Sequence, residues 1–136
     1  MNTMKNIFLI FSITLTLTVM QTKAQWSEVG GLNALGANGG VGSIVFDASG
    51  NLYVAGDFTN TVGSNYVAKF NGVNWSELGG LNGLSANNSI LSVCADSLGN
   101  VYAGGAFTNV SGNRYIAKWD GMIWSELGGT NGLSAN

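Results

Sequence analysis

Trp75-Ser76-Glu77-Leu78-Gly79-Gly80 is the stretch that decides the fold, because the chain repeats it at a constant spacing. The same six residues stand at 124–129, and a version with Val29 in place of leucine stands at 26–31. Trp26, Trp75 and Trp124 are therefore 49 residues apart. Self-similarity with a period of about 20–50 residues is typical of solenoids, propellers and other repeat arrays. The spacing thus predicts a repeat architecture.

The spacing divides the chain into a first repeat at about 26–74, a second at about 75–123, and the start of a third over 124–136. Aligned without gaps, the two complete repeats are identical at about half of their positions. Each contains four short segments of β-type residues separated by turn residues. These segments are Ser43–Phe46, Leu52–Gly56, Tyr66–Phe70 and Val73–Leu78, and then Ser92–Ala95, Val101–Gly105, Tyr115–Trp119 and Met122–Leu127.

Two kinds of turn are expected between these segments. Asp47 to Asn51 and Asp96 to Asn100 contain an aspartate that can accept bonds from nearby backbone N–H groups, and a glycine that accepts positive φ. Asn71-Gly72 and Asp120-Gly121 predict type I′ hairpin turns, with positive φ at both residues. Each repeat is therefore predicted to fold as an antiparallel sheet.

The predicted fold class is all-β. Several segments are apolar at consecutive positions, which suits sheets covered on both faces. Glycine is frequent and no stretch of 25–136 has an apolar period of 3.6 residues, so no helix is expected there. Repeated four-stranded units of this kind are typical of β-propeller blades. We expect two blades of an incomplete propeller, as the front of a longer chain or, alternatively, as one of several short copies that assemble.

The N-terminus has the pattern of a secretory signal peptide over residues 1–24. Lys5 precedes an apolar run at 7–20, and Ala24 provides the small residue before a cut ahead of Gln25. The run has 14 residues, whereas a membrane-spanning helix needs about 18 or more. The sequence predicts a signal-peptide helix, export to the medium or the cell surface, and no membrane span after its removal. An uncleaved anchor is the alternative.

The phased repeats resemble kelch-type propeller blades. The resemblance is carried by Gly104-Gly105-Ala106-Phe107-Thr108, by Ile116-Ala117-Lys118-Trp119-Asp120-Gly121, and by Trp124 to Gly128, and it covers essentially all of 26–136. Similar repeats occur in large secreted and surface proteins of bacteria. The first repeat departs from the pattern, with Ala55-Gly56 for the glycine pair and Phe70-Asn71 for Trp-Asp. Such blades serve binding proteins, scaffolds and enzymes alike, so the resemblance implies fold rather than function.

Composition excludes several classes of function. The net charge of −2 and the scattered Lys69, Arg114 and Lys118 argue against nucleic-acid binding, which needs clustered basic residues. The chain has no histidine and one cysteine, so neither a zinc site nor a histidine-based nucleophile is expected. Cys94 aligns with Val45 and is predicted to be a small buried residue. We expect no catalytic residue, cofactor or metal.

Three recurring residue types have two interpretations each. Asp47, Ser49 and Asn51 loosely resemble oxygen ligands for calcium, although turn capping explains them better. The repeated Glu28, Glu77 and Glu126 are paired-carboxylate candidates for glycoside hydrolysis, but equivalent positions favour a structural role. The spaced tryptophans are predicted to pack between blades, with sugar stacking as the alternative.

The candidate residues form two groups. Those with a predicted structural role in the repeat are Trp26, Trp75, Trp124, Gly56, Gly105, Asp47, Asp96, Gly72 and Gly121. Those at variable loop positions, and therefore candidates for ligand binding, are Asp57, Asn65 and Arg114. The sequence predicts a non-catalytic module that binds an extracellular protein or polysaccharide, or acts as a scaffold. The alternatives are part of a secreted enzyme with its catalytic residues elsewhere, and a purely structural array.

Overall fold

A computed structural model describes residues 27–133, so the predicted signal peptide and Trp26 lie outside the described residues, as do 134–136. The described part is all-β, and no helix occurs in it. Its eight strands are β1 (Val41–Phe46), β2 (Leu52–Gly56), β3 (Ala68–Phe70), β4 (Trp75–Glu77), β5 (Ile90–Ala95), β6 (Val101–Thr108), β7 (Arg114–Trp119) and β8 (Trp124–Glu126).

The strands form two antiparallel sheets of four strands each, which confirms the predicted fold class at this level. The first sheet has the order β1-β2-β3-β4 and the second the order β5-β6-β7-β8. The register repeats as well: Phe46 pairs with Leu52 in the first sheet, and Ala95 pairs with Val101 in the second. Each sheet therefore takes three strands from one repeat, and its fourth strand is formed by the first residues of the next repeat.

Gly56 and Gly105 stand where β2 and β6 pass close to the preceding chain. A Cβ at Gly56 would overlap the carbonyl oxygen of Gly40, and one at Gly105 would overlap that of Ser89. The register of β1 against β2 shifts between Val41 and Ser43 at the same place. Only glycine fits this approach, which explains why both repeats carry it there.

The turn after β1 agrees with the sequence prediction. Asp47 Oδ1 accepts the backbone N–H groups of Ser49 and Asn51, each at 2.9 Å. Gly50 has a φ of 82°. The equivalent Asp96 accepts the N–H groups of Leu98 and Asn100 at 2.9 Å.

The turn between β3 and β4 differs from the predicted type I′ hairpin. Gly72 has a φ of 95° and Gly121 one of 100°, but Asn71 and Asp120 are not among the residues with positive φ. Asn71 Oδ1 instead accepts the N–H groups of Val73 and Asn74, at 3.0 and 2.8 Å. A type I′ turn needs positive φ at both central residues, whereas here the Asn71 side chain caps the turn and only Gly72 has positive φ.

The main core lies between the two sheets. β1 and β2 of the first sheet contact β5 of the second. Tyr53, Ala55 and Val67 from the first sheet are buried in one cluster with residues of the second, among them Ile90 and Val93. A smaller cluster, formed by Leu52, Val54, Phe58 and Ala68, lies on the opposite face of the first sheet. The first sheet is thus apolar on both faces, as the sequence predicts.

Cys94 does not have the predicted burial. Its counterpart Val45 is partly buried and packs against the core between the sheets, whereas Cys94 is exposed. The reason is position: Val45 faces the second sheet, and within 27–133 no third sheet lies against Cys94. Equivalent positions therefore differ in burial: Val45 packs against the core, and Cys94 is exposed to solvent.

Candidate functional site: a groove repeated on each sheet

Each sheet carries an open groove along its third and fourth strands. The first groove has a volume of about 360 Å³ and the second about 380 Å³. Every residue that lines the first groove has its counterpart, 49 positions later, in the lining of the second. The polar and aromatic members that are identical in both grooves are Thr59, Asn60, Tyr66, Trp75, Ser76 and Glu77 in the first, and Thr108, Asn109, Tyr115, Trp124, Ser125 and Glu126 in the second.

The tryptophan of each groove is fixed by a hydrogen bond to the preceding repeat. Trp124 Nε1 donates to the carbonyl oxygen of Leu78 at 2.9 Å, and Trp75 Nε1 donates to that of Val29 at 2.8 Å. The ring of Trp124 also packs against Trp119, with centroids 5.8 Å apart. Trp75 and Trp124 therefore join consecutive repeats while one side of each ring lines a groove.

The glutamate of each groove holds the loop beside it. Asn60 Nδ2 donates to both carboxylate oxygens of Glu77, at 3.3 and 3.2 Å. The N–H of Asn82, a residue with a φ of 62°, donates to Glu77 Oε1 at 2.7 Å. Glu126 has the same bonds from Asn109 and Asn131, and Glu28 accepts the N–H of Asn33. The recurring glutamates are thus loop acceptors.

The tyrosine of each groove offers a free hydroxyl group. Tyr115 packs edge-on against Phe107, with ring centroids 4.9 Å apart. Tyr66 packs in the same way against Phe58, with centroids 5.0 Å apart. Within 27–133, neither hydroxyl group makes a hydrogen bond, and both hydroxyl groups are accessible to solvent. Burial of the ring, and then the charge of Glu126, raise the pKa of Tyr115. The hydroxyl remains protonated and can donate to a ligand in the groove.

The threonine of each groove is tied to the chain segment before the sheet. Thr59 accepts a bond from Asn38 Nδ2 at 3.0 Å, and its own N–H donates to Asn38 Oδ1 at 2.8 Å. Thr108 and Asn87 repeat both bonds, at 3.1 and 2.9 Å. These reciprocal pairs fix the position of the threonine that lines each groove.

The three loop candidates have different surroundings. Asp57 is exposed, and its N–H donates to the carbonyl oxygen of Gly40 at 2.8 Å. Arg114 is exposed at the start of β7 and pairs with Thr108, which lines the second groove. Asn65 occupies the equivalent position of the first repeat, outside the strands of the first sheet. Its isolated bridges join it to Thr59 and Ala86.

Asn65, which the sequence predicts as a loop position for ligand binding, holds together two parts of the backbone in the structure. It is buried, with 8% of its surface exposed. Its Nδ2 donates to the carbonyl oxygens of Gly56 and Phe58, at 3.3 and 3.2 Å. Its backbone N–H and C=O both pair with Ala86. A buried amide with these partners fixes the end of β2 against the segment that leads to the second sheet.

The turn aspartates form a closed hydrogen-bonding network. Asp47 Oδ2 accepts Asn51 Nδ2 at 2.7 Å and the Tyr53 hydroxyl at 3.0 Å. Burial acts to raise the pKa of Asp47, but the bonds from Asn51, Tyr53 and Ser49 together lower it. Burial and the bond to Asp47 raise the pKa of Tyr53 to about 12. The aspartate oxygens are thus used as turn acceptors, and in 27–133 no group of three acidic, cysteine or histidine side chains is placed to hold a metal ion.

The grooves were not predicted from the sequence, although a signal for them exists. Thr59, Asn60, Tyr66 and Glu77 are all identical in the second repeat, whereas the three predicted loop candidates were chosen because they vary. A pocket that recurs on each sheet must be built from positions that recur. Identity at the spacing of 49 residues would therefore have identified the lining.

Comparison of the chain with protein-family models, curated proteins and solved structures finds no match. Within residues 27–133, no helix has the length and apolar character that crossing a bilayer requires.

Proposed function

We propose that the chain is an exported, non-catalytic β-propeller repeat module with kelch-like blades, and that it binds a polysaccharide at the cell surface. The observation that carries this proposal is the recurrence of one groove, with equivalent lining residues, on both sheets. An extracellular protein is the other partner class that the sequence predicts, and the experiment below separates the two. The signal-peptide pattern at 1–24 supports export.

The packing of the two sheets supports the propeller. Each sheet has four antiparallel strands in sequence order, which is the organisation of a propeller blade. The contacts of β1 and β2 with β5 place consecutive sheets face against face. The bond from Trp124 to Leu78 joins the outermost strand of one sheet to the chain that leaves the other. Blades arranged around a channel need both kinds of contact.

The chemistry of the groove favours a polysaccharide. A sugar offers many hydroxyl groups and an apolar ring face, so it requires both hydrogen-bonding groups and an aromatic surface. Tyr115 provides an unused hydroxyl, and the rings of Tyr115 and Trp124 both line the second groove. The grooves are open and of similar size, and two linked weak sites gain avidity for a polymer whose units repeat.

The placement of the glutamates supports a non-catalytic role. Glycoside hydrolysis generally uses two carboxyl groups that flank one bond, about 5–10 Å apart. Glu77 and Glu126 lie in separate grooves, and each is occupied by bonds from an asparagine side chain and a backbone N–H. Each groove thus has one carboxylate that is committed to its own loop.

The test is binding of the processed chain to a panel of soluble polysaccharides: a neutral glucan, a mannan and an acidic uronan. The double variant Tyr66→Phe, Tyr115→Phe removes the two groove hydroxyls and keeps the rings. We expect roughly five-fold weaker binding for each hydrogen bond lost. Tyr102→Phe is the matched control, because the Tyr102 hydroxyl bonds to Asp96 in the turn.

Three outcomes would count against the proposal. Binding to no polysaccharide of the panel, with binding to an extracellular protein instead, would assign the second partner class. Equal weakening by Tyr102→Phe would place the ligand outside the grooves. Detection of the chain inside the cell with residues 1–24 still attached would contradict export.

A further inference from the structure

The first sheet has an exposed apolar face, whereas the equivalent face of the second sheet is covered by the first sheet. Val41 is 51% and Ile44 is 64% exposed, whereas their counterparts Ile90 and Val93 are 0% and 5% exposed. Val41 and Ile44 border a cavity of about 460 Å³ with Leu52 and Val54. We refer to the exposed Val41 and Ile44, together with the buried Leu52 and Val54 that border the same cavity, as the open face. An exposed apolar surface of this kind indicates an interaction site.

The contact between the two sheets shows what covers such a face. Tyr53, Ala55 and Val67 of the first sheet bury Ile90 and Val93 of the second. One hydrogen bond crosses the same contact: the N–H of Val93 donates to Ser43 Oγ at 3.0 Å. The covering surface is therefore the opposite face of a repeat sheet, with one hydroxyl aimed at one backbone N–H.

The second sheet carries another copy of that covering surface, and within residues 27–133 no sheet lies against it. The counterparts of Tyr53, Ala55 and Val67 are Tyr102, Gly104 and Ile116, and all three are partly exposed rather than buried. Ser92 is the counterpart of Ser43, and it is exposed together with Cys94. We refer to the surface formed by Ser92, Cys94, Tyr102, Gly104 and Ile116 as the cover face. It has the residues that bury an open face within one chain.

We propose that the open face of one chain binds the cover face of a second copy of this chain. In this contact Tyr102 and Ile116 of one copy bury Val41 and Ile44 of the other, and the N–H of Ile44 donates to Ser92 Oγ. The two faces belong to different sheets, so the contact is head-to-tail and each copy retains one face of each kind for further copies. The assembly grows until the ring closes or continues as a filament.

The substitutions between the two sheets are compatible with this contact. Val67 becomes Ile116 and Ala55 becomes Gly104, so that one apolar side chain gains a methylene while another loses its methyl group. Val45 becomes Cys94, a residue of similar size that is tolerated in an apolar contact. Neither face introduces a charged side chain at these positions. A second copy thus presents the same surface that the chain already buries internally.

The first test measures the mass of the processed full chain by light scattering over a range of concentrations. We expect masses that are multiples of the single chain and rise with concentration. Ile44→Asp on the open face and Ser92→Glu on the cover face should each restore the single-chain mass. Because both residues are exposed, neither substitution should unfold the chain, and tryptophan fluorescence checks this.

Leu98→Asp is the control, since it also replaces an exposed apolar residue with a carboxylate. Leu98 lies in the turn after β5 and is 86% exposed. Its counterpart Ser49 remains exposed although the second sheet packs against the first, so this position lies outside the contact. The control should assemble as the unaltered chain does.

The second test uses Cys94 as a reporter of the cover face. In an assembly Cys94 should react with a thiol reagent at least ten-fold more slowly than in the single chain, and Ile44→Asp should restore the fast reaction. A single-chain mass at every concentration with a fully reactive thiol would overturn the proposal. Assemblies that persist in both Ile44→Asp and Ser92→Glu would also overturn it, because they would use another surface.

Discussion

The indole N–H of Trp124 donates to the carbonyl oxygen of Leu78 at 2.9 Å, across 46 residues of chain. Leu78 follows the last strand of the first sheet, so this bond attaches the outer edge of the second sheet to the segment that connects the two. Trp75 and Val29 repeat it at 2.8 Å. Trp75 and Trp124 therefore have the same role, because the indole N–H of each donates to the repeat before it.

Trp124→Phe should destabilise the chain by about 1–3 kcal/mol, because it leaves the Leu78 carbonyl without its donor and fills less of the space beneath the ring. Trp119→Phe is the matched control, since the first repeat already has Phe70 at that position. Urea unfolding followed by circular dichroism measures both. Equal losses of unfolding free energy would show that ring size alone, and not the hydrogen bond, makes Trp124 important.

Gly79→Ala should cost more than Gly80→Ala, although both glycines have positive φ, 90° and 78°. Alanine in this conformation costs about 1–2 kcal/mol at either position. At Gly79 the added Cβ would also lie 2.9 Å from Cζ3 of Trp119, whereas at Gly80 it would meet nothing within 4 Å. Overpacking should add about 1–3 kcal/mol at Gly79 alone. The difference between the two unfolding free energies measures it, and a difference near zero would mean that the Trp119 ring moves freely.

Much of the fold could be predicted from this sequence because its information is repetitive. The spacing of the tryptophans gave two equivalent units, and Asp47 with Gly50 and Asn51 gave the turn after β1, since both depend on residues close together in the chain. The turn at Asn71-Gly72 could not be predicted in the same way. The same residues are compatible with a type I′ hairpin and with a turn in which the Asn71 side chain accepts the N–H groups of Val73 and Asn74, and the structure contains the second.

Burial was harder to predict, because it depends on which neighbour covers a residue. Cys94 and Val45 occupy the same position of the repeat, yet only Val45 faces another sheet. Asn65 was predicted as a loop position for ligand binding. Its side-chain amide donates to two backbone carbonyl oxygens, and the sequence does not show that these lie close to it. The grooves were not predicted because their lining combines loop, strand and linker residues that are far apart in the sequence.

Asn65→Ala should lower the free energy of unfolding by about 1–3 kcal/mol, because the carbonyl oxygens of Gly56 and Phe58 would lose a buried donor. Arg114→Ala changes the equivalent position of the second sheet, where the side chain is exposed, and should change it by less than about 0.5 kcal/mol. Thermal unfolding of the two variants compares them directly. An Arg114→Ala variant as unstable as Asn65→Ala would contradict the different roles of this position.

Stability should decline at both ends of the pH range because of Asp47 and Tyr53. The folded chain lowers the pKa of Asp47 from 3.8, so the unfolded chain takes up the proton first as the medium is acidified. Stability is therefore present above about pH 4 and is lost as the pH falls through the folded pKa. Asp47→Asn should flatten this acid decline, which urea titrations between pH 6 and pH 2 would measure.

At the alkaline end the sign is reversed. The pKa of Tyr53 is raised from 10.0 to about 12, so the unfolded chain loses the proton first. The contribution of Tyr53 is present below pH 10 and is lost as the pH rises through about 12. Tyr53→Phe should remove this decline and, because it also deletes one bond to Asp47, should weaken the acid decline in part. An alkaline profile unchanged in Tyr53→Phe would mean that the hydroxyl is equally acidic in the folded and unfolded chain.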